Sequence, residues 1–202
     1  MLLLKLEFNM SPQAPYIVSP QHRERPKAED FIKTRYATCY GANISHFPER
    51  LLVLRNAAGE IAGCCGLRDA QEGFISALYV EDGDLAAHIS TTSLDQLWEF
   101  TTLAASDRQS LFAIIQSACD FGRQAGKTAA IFTTTNFICR FLEQRGVNLV
   151  QISNADERNA PSPGPWGTYY SGGASVYLVP DTLNATGHFA RRSAPTEGAH
   201  AA

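Results

Sequence analysis

The sequence predicts an α/β protein, and three stretches carry that prediction. Residues 98–145 read as strand, helix, strand, helix without a break, residues 51–67 as a hairpin, and residues 147–179 as two further strands around a loop. In the first stretch, residues 98–105 are apolar enough for a buried strand, with Glu99 set between Trp98 and Phe100. Residues 106–126 have helical spacing, 128–135 form a second buried strand, and 136–145 a second helix stopped by Gly146.

The remaining elements follow in chain order. Residues 2–8 alternate weakly, as an edge strand does, and residues 11–25 carry Pro12, Pro15 and Pro20, which mark an extended lead-in with a brief strand at Tyr16-Ile17-Val18. Pro26 suits a first helical turn, Glu29 and Asp30 complement its positive end, and Gly41 closes the helix. Phe31, Tyr36 and Tyr40 recur at helical spacing and read as packing residues, whereas Arg35 among them is suited to hold an anion. Two apolar runs, 51–54 and 61–67, flank the turn residues Asn56-Ala57-Ala58-Gly59-Glu60 and predict strand, turn, strand. Gly63 and Gly66 inside the second run predict a bulge or a close backbone approach.

Residues 71–96 carry the weakest pattern, with an apolar run at 74–80, an acidic turn at 81–84 and a helical turn at 85–89. The acidic turn lacks the alternating ligands and downstream glutamate of a calcium loop, so it reads as a solvated loop. A strand at 147–152 precedes a loop rich in Asn, Pro and Gly at 153–165, the aromatic segment Trp166-Gly167-Thr168-Tyr169-Tyr170, and a last strand at 174–179. From 180 to 202 apolar periodicity fades and a disordered tail is expected, leaving one domain over 1–179.

Composition excludes several classes. A net charge of −3 gives no broad basic surface for nucleic acid, and no apolar run approaches a membrane span or a signal-peptide core, so no membrane association and a cytoplasmic location are expected. The five cysteines are odd in number, irregularly spaced and set in apolar elements, which reads as reduced thiols. Without Cys-x-x-Cys pairs or closely spaced histidines, no metal is expected.

The order helix, hairpin, long strand, helix, strand, helix, strand, strand resembles the GNAT-type N-acyltransferase fold, a mixed, mostly antiparallel sheet flanked by helices. Its most specific piece is 136–147, which is similar to the helix and strand closing the acyl-donor site of that superfamily. A closer match runs over about residues 31 to 179. Arg35-Tyr36, Tyr40-Gly41-Ala42, Phe47-Pro48, Gly66-Leu67-Arg68, Glu99 with Leu103-Ala104, Phe132-Thr133-Thr134-Thr135 and 166–170 recur in this order in the family called thermostable hemolysin. That family looks related to GNAT enzymes and to acyl-homoserine-lactone synthases.

The resemblance implies acyl transfer from a thioester donor to a small-molecule amine. The chain departs from the GNAT pattern twice. After the long strand, where those enzymes carry a glycine-rich turn for the coenzyme A pyrophosphate, it reads Ala105-Ser106-Asp107-Arg108-Gln109-Ser110-Leu111. This weakens coenzyme A as donor and favours the phosphopantetheine arm of an acyl carrier protein; an aminoacyl-tRNA donor gains nothing from the acidic balance. Leu142 stands where many such enzymes have a tyrosine acid, so the leaving thiolate must be protonated by Thr135, by a tyrosine of the 166–170 segment, or by water.

The expected roles divide by side chain. Glu99 is the candidate base, since a carboxyl buried in an apolar strand has a raised pKa. Thr101 and Thr135 are placed with it in catalysis. Leu103 and Ala104, through backbone N–H groups where the strand splays, and Arg108 and Asn136 are placed on the donor. Arg35, Arg68, Trp166, Tyr169 and Tyr170 are placed on the substrate, with Arg68 gripping a carboxylate in a bidentate manner. The competing reading is a non-catalytic GNAT-like scaffold that binds a carrier protein or a small ligand. A membrane-active toxin ranks last, because no basic amphipathic helix is evident. Whether the chain forms a homodimer stays open.

Overall fold

Alternation along the central strand sorts the whole molecule. In β4 (Leu97–Ala105) Leu97 and Glu99 face one side of the sheet, Trp98 and Phe100 the other, and each pair joins a different layer of core. The computed structural model describes residues 14–89, 92–161 and 164–180; the predicted strand at 2–8 and the tail after 180 lie outside them. Within the described residues seven strands form one sheet in the order β1-β2-β3-β4-β5-β7-β6. They are β1 (Tyr16–Val18), β2 (Arg50–Arg55), β3 (Ile61–Arg68), β4, β5 (Ala129–Thr135), β6 (Val150–Asn154) and β7 (Ala174–Val179). β4 and β5 run parallel and every other pair antiparallel, as the predicted mixed sheet requires.

One face is covered by α1 (Arg25–Tyr40), which buries Ala28, Ile32 and Tyr36 at helical spacing against Val53, Leu97 and Ile131. Pro26 sits in its first turn, and Gly41, at φ +68°, ends it by donating its N–H to the Ala37 carbonyl. The opposite face is covered by α2 (Arg108–Gln124), which buries Leu111, Ile114, Ile115 and Ala118, and by α3 (Asn136–Glu143), which contributes Phe141 and Leu142. The helix predicted from Ser106 begins two residues later because Asp107 caps it, its carboxylate accepting the Ser110 N–H at 2.8 Å. The strand predicted at 147–152 begins at Val150, since the Val147 N–H is spent on the Leu142 carbonyl in closing α3.

Residues 75–79, 81–83 and 85–88 form successive 3-10 turns where the sequence pattern was weakest; the acidic turn is exposed, as predicted. No helix among the described residues is long and apolar enough to cross a membrane.

Candidate active site

Two irregularities of β4 open the sheet at its centre. β4 and β5 pair only from Leu97↔Ala129 to Phe100↔Phe132, although β4 continues to Ala105 and β5 to Thr135, so the two strands part company beyond Phe100. On its other edge β4 carries a bulge. Cys64 pairs with Ala104 and Gly66 with Thr101, which leaves Thr102 and Leu103 opposite the single residue Cys65. Thr102 takes a left-handed φ of +44°, a costly conformation for a β-branched residue.

Gly66 makes the bulge fit. A Cβ there would lie 2.3 Å from Thr101 Oγ1, 2.5 Å from Pro48 Cγ and 2.8 Å from Thr102 Oγ1. Both hydroxyls therefore converge over the glycine, and neither has a hydrogen-bond partner. The close approach predicted at Gly66 is present, and at Gly63 a Cβ would stand 3.0 Å from Ile114 Cβ.

On the α1 face of the splay lies a cavity of about 330 Å³, lined by Glu99, Thr101, Arg68, Trp166, Tyr169 and Tyr170 among others. Six of the sequence-predicted site residues thus meet in one space. Glu99 is 1% exposed and points inward. Its Oε2 accepts the Ile75 N–H at 2.8 Å and its Oε1 the Ser76 N–H at 2.7 Å, with Arg68 Nε 3.8 Å away. Burial pushes its pKa up; the Ser76 and Ile75 hydrogen bonds and the Arg68 charge act in the opposite direction. Each carboxylate oxygen keeps a lone pair beyond its N–H bond, so a proton can still be taken there.

Arg68 lines this cavity and is also engaged by backbone. Its Nε donates to the Gly73 carbonyl at 2.9 Å and its NH2 group to the Glu72 carbonyl at 2.5 Å, which pins the turn leading into residues 75–79. NH1 and the second N–H of NH2 remain for a ligand.

Tyrosines dominate the rest of the wall. The Tyr79 and Tyr170 hydroxyls are 2.5 Å apart, and the Tyr169 hydroxyl donates to the Thr133 carbonyl at 3.0 Å. Burial raises the pKa of both Tyr169 and Tyr170, so both stay protonated. Gly167, at φ +57°, lets this loop reach α1. A Cβ there would fall 1.8 Å from the Tyr40 carbonyl oxygen, which accepts the Thr168 N–H at 2.8 Å.

A second space of about 410 Å³ opens beside the parted strand ends, lined by Arg35, Leu103, Ala104 and Arg108 together with Tyr40, Asp107 and Phe137. Between the two lies a narrow neck of about 50 Å³, bounded by Thr101, Thr102, Leu103, Thr134, Leu142, Tyr36 and Tyr40. Tyr36 borders all three spaces, which lie next to one another around the splay. Tyr36 and Tyr40, read from sequence as packing residues, also form walls of these spaces.

Asp107 sets a carboxylate at the start of α2. Its carboxylate accepts from Ser106 Oγ at 2.6 Å, from the Ser110 N–H and from Ser110 Oγ at 2.9 Å. Those bonds, the Ser106 hydroxyl first, hold its pKa down at about 2, so it carries a full charge at the helix N-terminus.

Two predicted residues are not in the lining of any of these spaces. Asn136 is exposed at the start of α3, with its amide against the Gly173 backbone. Thr135 is buried, its hydroxyl beside that of Tyr40 without closing a hydrogen bond. Ser76 and Ile75 were not foreseen, since a backbone N–H leaves no mark on sequence. All five cysteines are unbridged, and no group of His, Cys, Asp or Glu among the described residues is arranged to hold a metal.

Comparison with solved structures places this architecture. FeeM, an N-acyl amino acid synthase from uncultured soil microbes, aligns with a TM-score of 0.59 at 13% identity over 86% of this chain and 95% of its own. BjaI, a CoA-dependent acyl-homoserine lactone synthase solved with SAM and isopentyl-CoA, gives 0.58 at 10% identity over 92% of each chain. TofI, solved in a ternary complex with an inhibitor and MTA, gives 0.55 at 16% identity over 86% of this chain and 96% of its own. At such identities the likeness is one of fold, and the fold is GNAT-like. No curated protein matches in sequence. The family model described as thermostable hemolysin matches residues 18–182, and the chain belongs to that family.

Proposed function

We propose that the protein is an N-acyltransferase that moves an acyl or aminoacyl group from a thioester donor to a small-molecule amine. The observation that carries this reading is the parting of strands β4 and β5, with a cavity holding a buried carboxylate on one side of it and an open groove on the other. The amine occupies the aromatic cavity, where Glu99 takes its proton directly or through one water. The thioester lies in the groove with its carbonyl in the neck. There the unpartnered Thr101 and Thr102 hydroxyls and the unpaired backbone past Phe100 meet the oxygen on which charge develops. An aromatic wall with part of one guanidinium left free suits an amine with an apolar or aromatic body. The five unbridged cysteines fit a reducing compartment, and we place the reaction in the cytoplasm.

The carrier-protein arm is favoured over free coenzyme A as donor. Asp107 already occupies the N-terminus of α2 with a negative charge, so a pyrophosphate would meet a carboxylate instead of open N–H groups. Phosphopantetheine on a carrier brings no adenosine diphosphate to that place.

The test is intact-mass analysis of an acylated carrier protein and of acyl-CoA, each incubated with a panel of amino acids and aromatic amines. A mass gain on an amine with loss of the acyl group from the carrier supports the reading. Binding of the carrier with no transfer to any amine of the panel assigns the chain to a non-catalytic scaffold instead.

A further inference from the structure

Leucine at position 142 leaves the departing sulfur without the acid that the reaction calls for, and the structure identifies another group at the same neck. Leu142 and Tyr40 both border it, the first from α3 and the second from the last residue of α1. Of the tyrosines around the splay, Tyr169 donates its O–H to the Thr133 carbonyl, and Tyr79 and Tyr170, which share one hydrogen bond, line the aromatic cavity and neither the neck nor the groove. Tyr36 stands at the junction of all three spaces, where the reacting carbonyl sits. Tyr40 borders the neck and the donor groove but not the aromatic cavity, and that is where a thiolate withdraws.

Resting on the acyltransferase reading, we propose that Tyr40 is the acid that protonates the thiolate as the tetrahedral intermediate collapses. The amine nitrogen bonds to the thioester carbon, and Glu99 accepts the amine proton. As the carbonyl re-forms, the C–S bond breaks and its electron pair leaves on sulfur. The Tyr40 O–H proton passes to sulfur, giving a free thiol and a phenolate that water reprotonates, while Glu99 returns its proton to solvent. The products are the amide and the carrier thiol, so no further reactant is needed.

Three features fix Tyr40 for this task. Its ring stands edge-on to Tyr169 at 5.2 Å and tilted against Tyr36 at 5.6 Å, which sets its direction. Its backbone is clamped by the Thr168 N–H on its carbonyl, an approach that only glycine at 167 permits. The Thr135 hydroxyl beside its own lacks any other partner and is free to donate to the phenolate as it forms. Burial keeps the phenol protonated between turnovers, while the Thr135 hydroxyl pulls toward ionisation.

Leaving-group acidity separates this role from a structural one. Wild type, Tyr40→Phe and Thr135→Val are assayed with an acyl-pantetheine thioester and with the corresponding S-phenyl thioester, whose aryl thiolate departs without a proton. The acceptor is the amine with the largest turnover in the panel above. With the alkyl thioester, Tyr40→Phe is expected to lose ~100-fold or more in kcat at nearly constant KM, and with the aryl thioester less than about threefold. Thr135→Val should show the same dependence, more weakly. An equal loss of kcat with both thioesters, or the leaving-group dependence appearing in Tyr36→Phe and not in Tyr40→Phe, overturns the assignment. A wild-type protein inactive with both donors across the panel instead removes the acyltransferase reading on which it rests.

Discussion

Replacing Glu99 with glutamine keeps the side chain's size and removes its charge, and two readouts should then move in opposite directions. Ile75 and Ser76 each donate an N–H to one carboxylate oxygen. The amide offers a single oxygen and turns an NH2 group toward the other donor, which leaves that N–H unsatisfied at a cost of about 1–3 kcal/mol. Against this, glutamine carries no buried charge. The folded-state pKa of Glu99 is raised above the ordinary 4.5 by burial. Its contribution to stability is therefore complete below the unfolded value and is lost as pH rises through the folded one, at about 1.4 kcal/mol per unit of elevation. Glu99→Gln has no such loss. The destabilisation seen in urea melts should be largest near pH ~4 and shrink toward neutrality. Activity should run the other way. In wild type kcat/KM should rise with pH along an acid limb above the usual carboxylate range, and Glu99→Gln should lose ~10²–10⁴-fold and the limb with it. An unchanged acid limb in the variant, or turnover within about threefold of wild type, would refute Glu99 as the base.

Three further substitutions probe the frame around it. Asp107→Ala removes the α2 cap and should cost about 0.5–2 kcal/mol in thermal melts at neutral pH. Since its folded pKa of about 2 lies below the ordinary 3.8, the wild-type advantage should be present above 3.8 and fade as pH falls through about 2. By freeing the helix N–H groups, the same variant should lower KM for acyl-CoA relative to acyl-pantetheine; an unaltered ratio would detach donor choice from this carboxylate. Gly66→Ala pushes a methyl group between Thr101, Thr102 and Pro48 and should destabilise by about 1–3 kcal/mol, read by chemical denaturation, with activity falling further than stability explains. Gly167→Ala meets the Tyr40 carbonyl at a positive φ, and should cost more than about 1 kcal/mol and change the near-UV signal of the tyrosine cluster; a native spectrum would show that the loop does not need that approach.

The strand and helix pattern was legible because each core layer imposes its own period. Residues 98–105, 128–135 and 174–179 alternate or run apolar, and the structure has strands there with bounds moved by at most one residue. Glu99, Arg68, Thr101 and the 166–170 aromatics were also visible, since polar groups in apolar runs and aromatics among Gly and Pro stand out. What was hidden is what sequence does not encode locally. The two N–H groups on Glu99 belong to an apolar stretch, 74–80, with no periodicity. Tyr36 and Tyr40 have the spacing of core residues and do pack, yet they pack along an opening. That Arg68 also pins a turn was hidden because its partners there are backbone carbonyls.

The contact between Gly167 and Tyr40 ties the lid of one compartment to the wall of the other. Trp166, Tyr169 and Tyr170 border the aromatic cavity, and Tyr40 borders the groove. On the proposed reading, a shift of the loop that admits an amine would disturb the end of α1 as well. Occupancy of the two spaces would then be energetically coupled, and by linkage a bound donor would change the affinity for the amine by the same factor as the amine changes that for the donor.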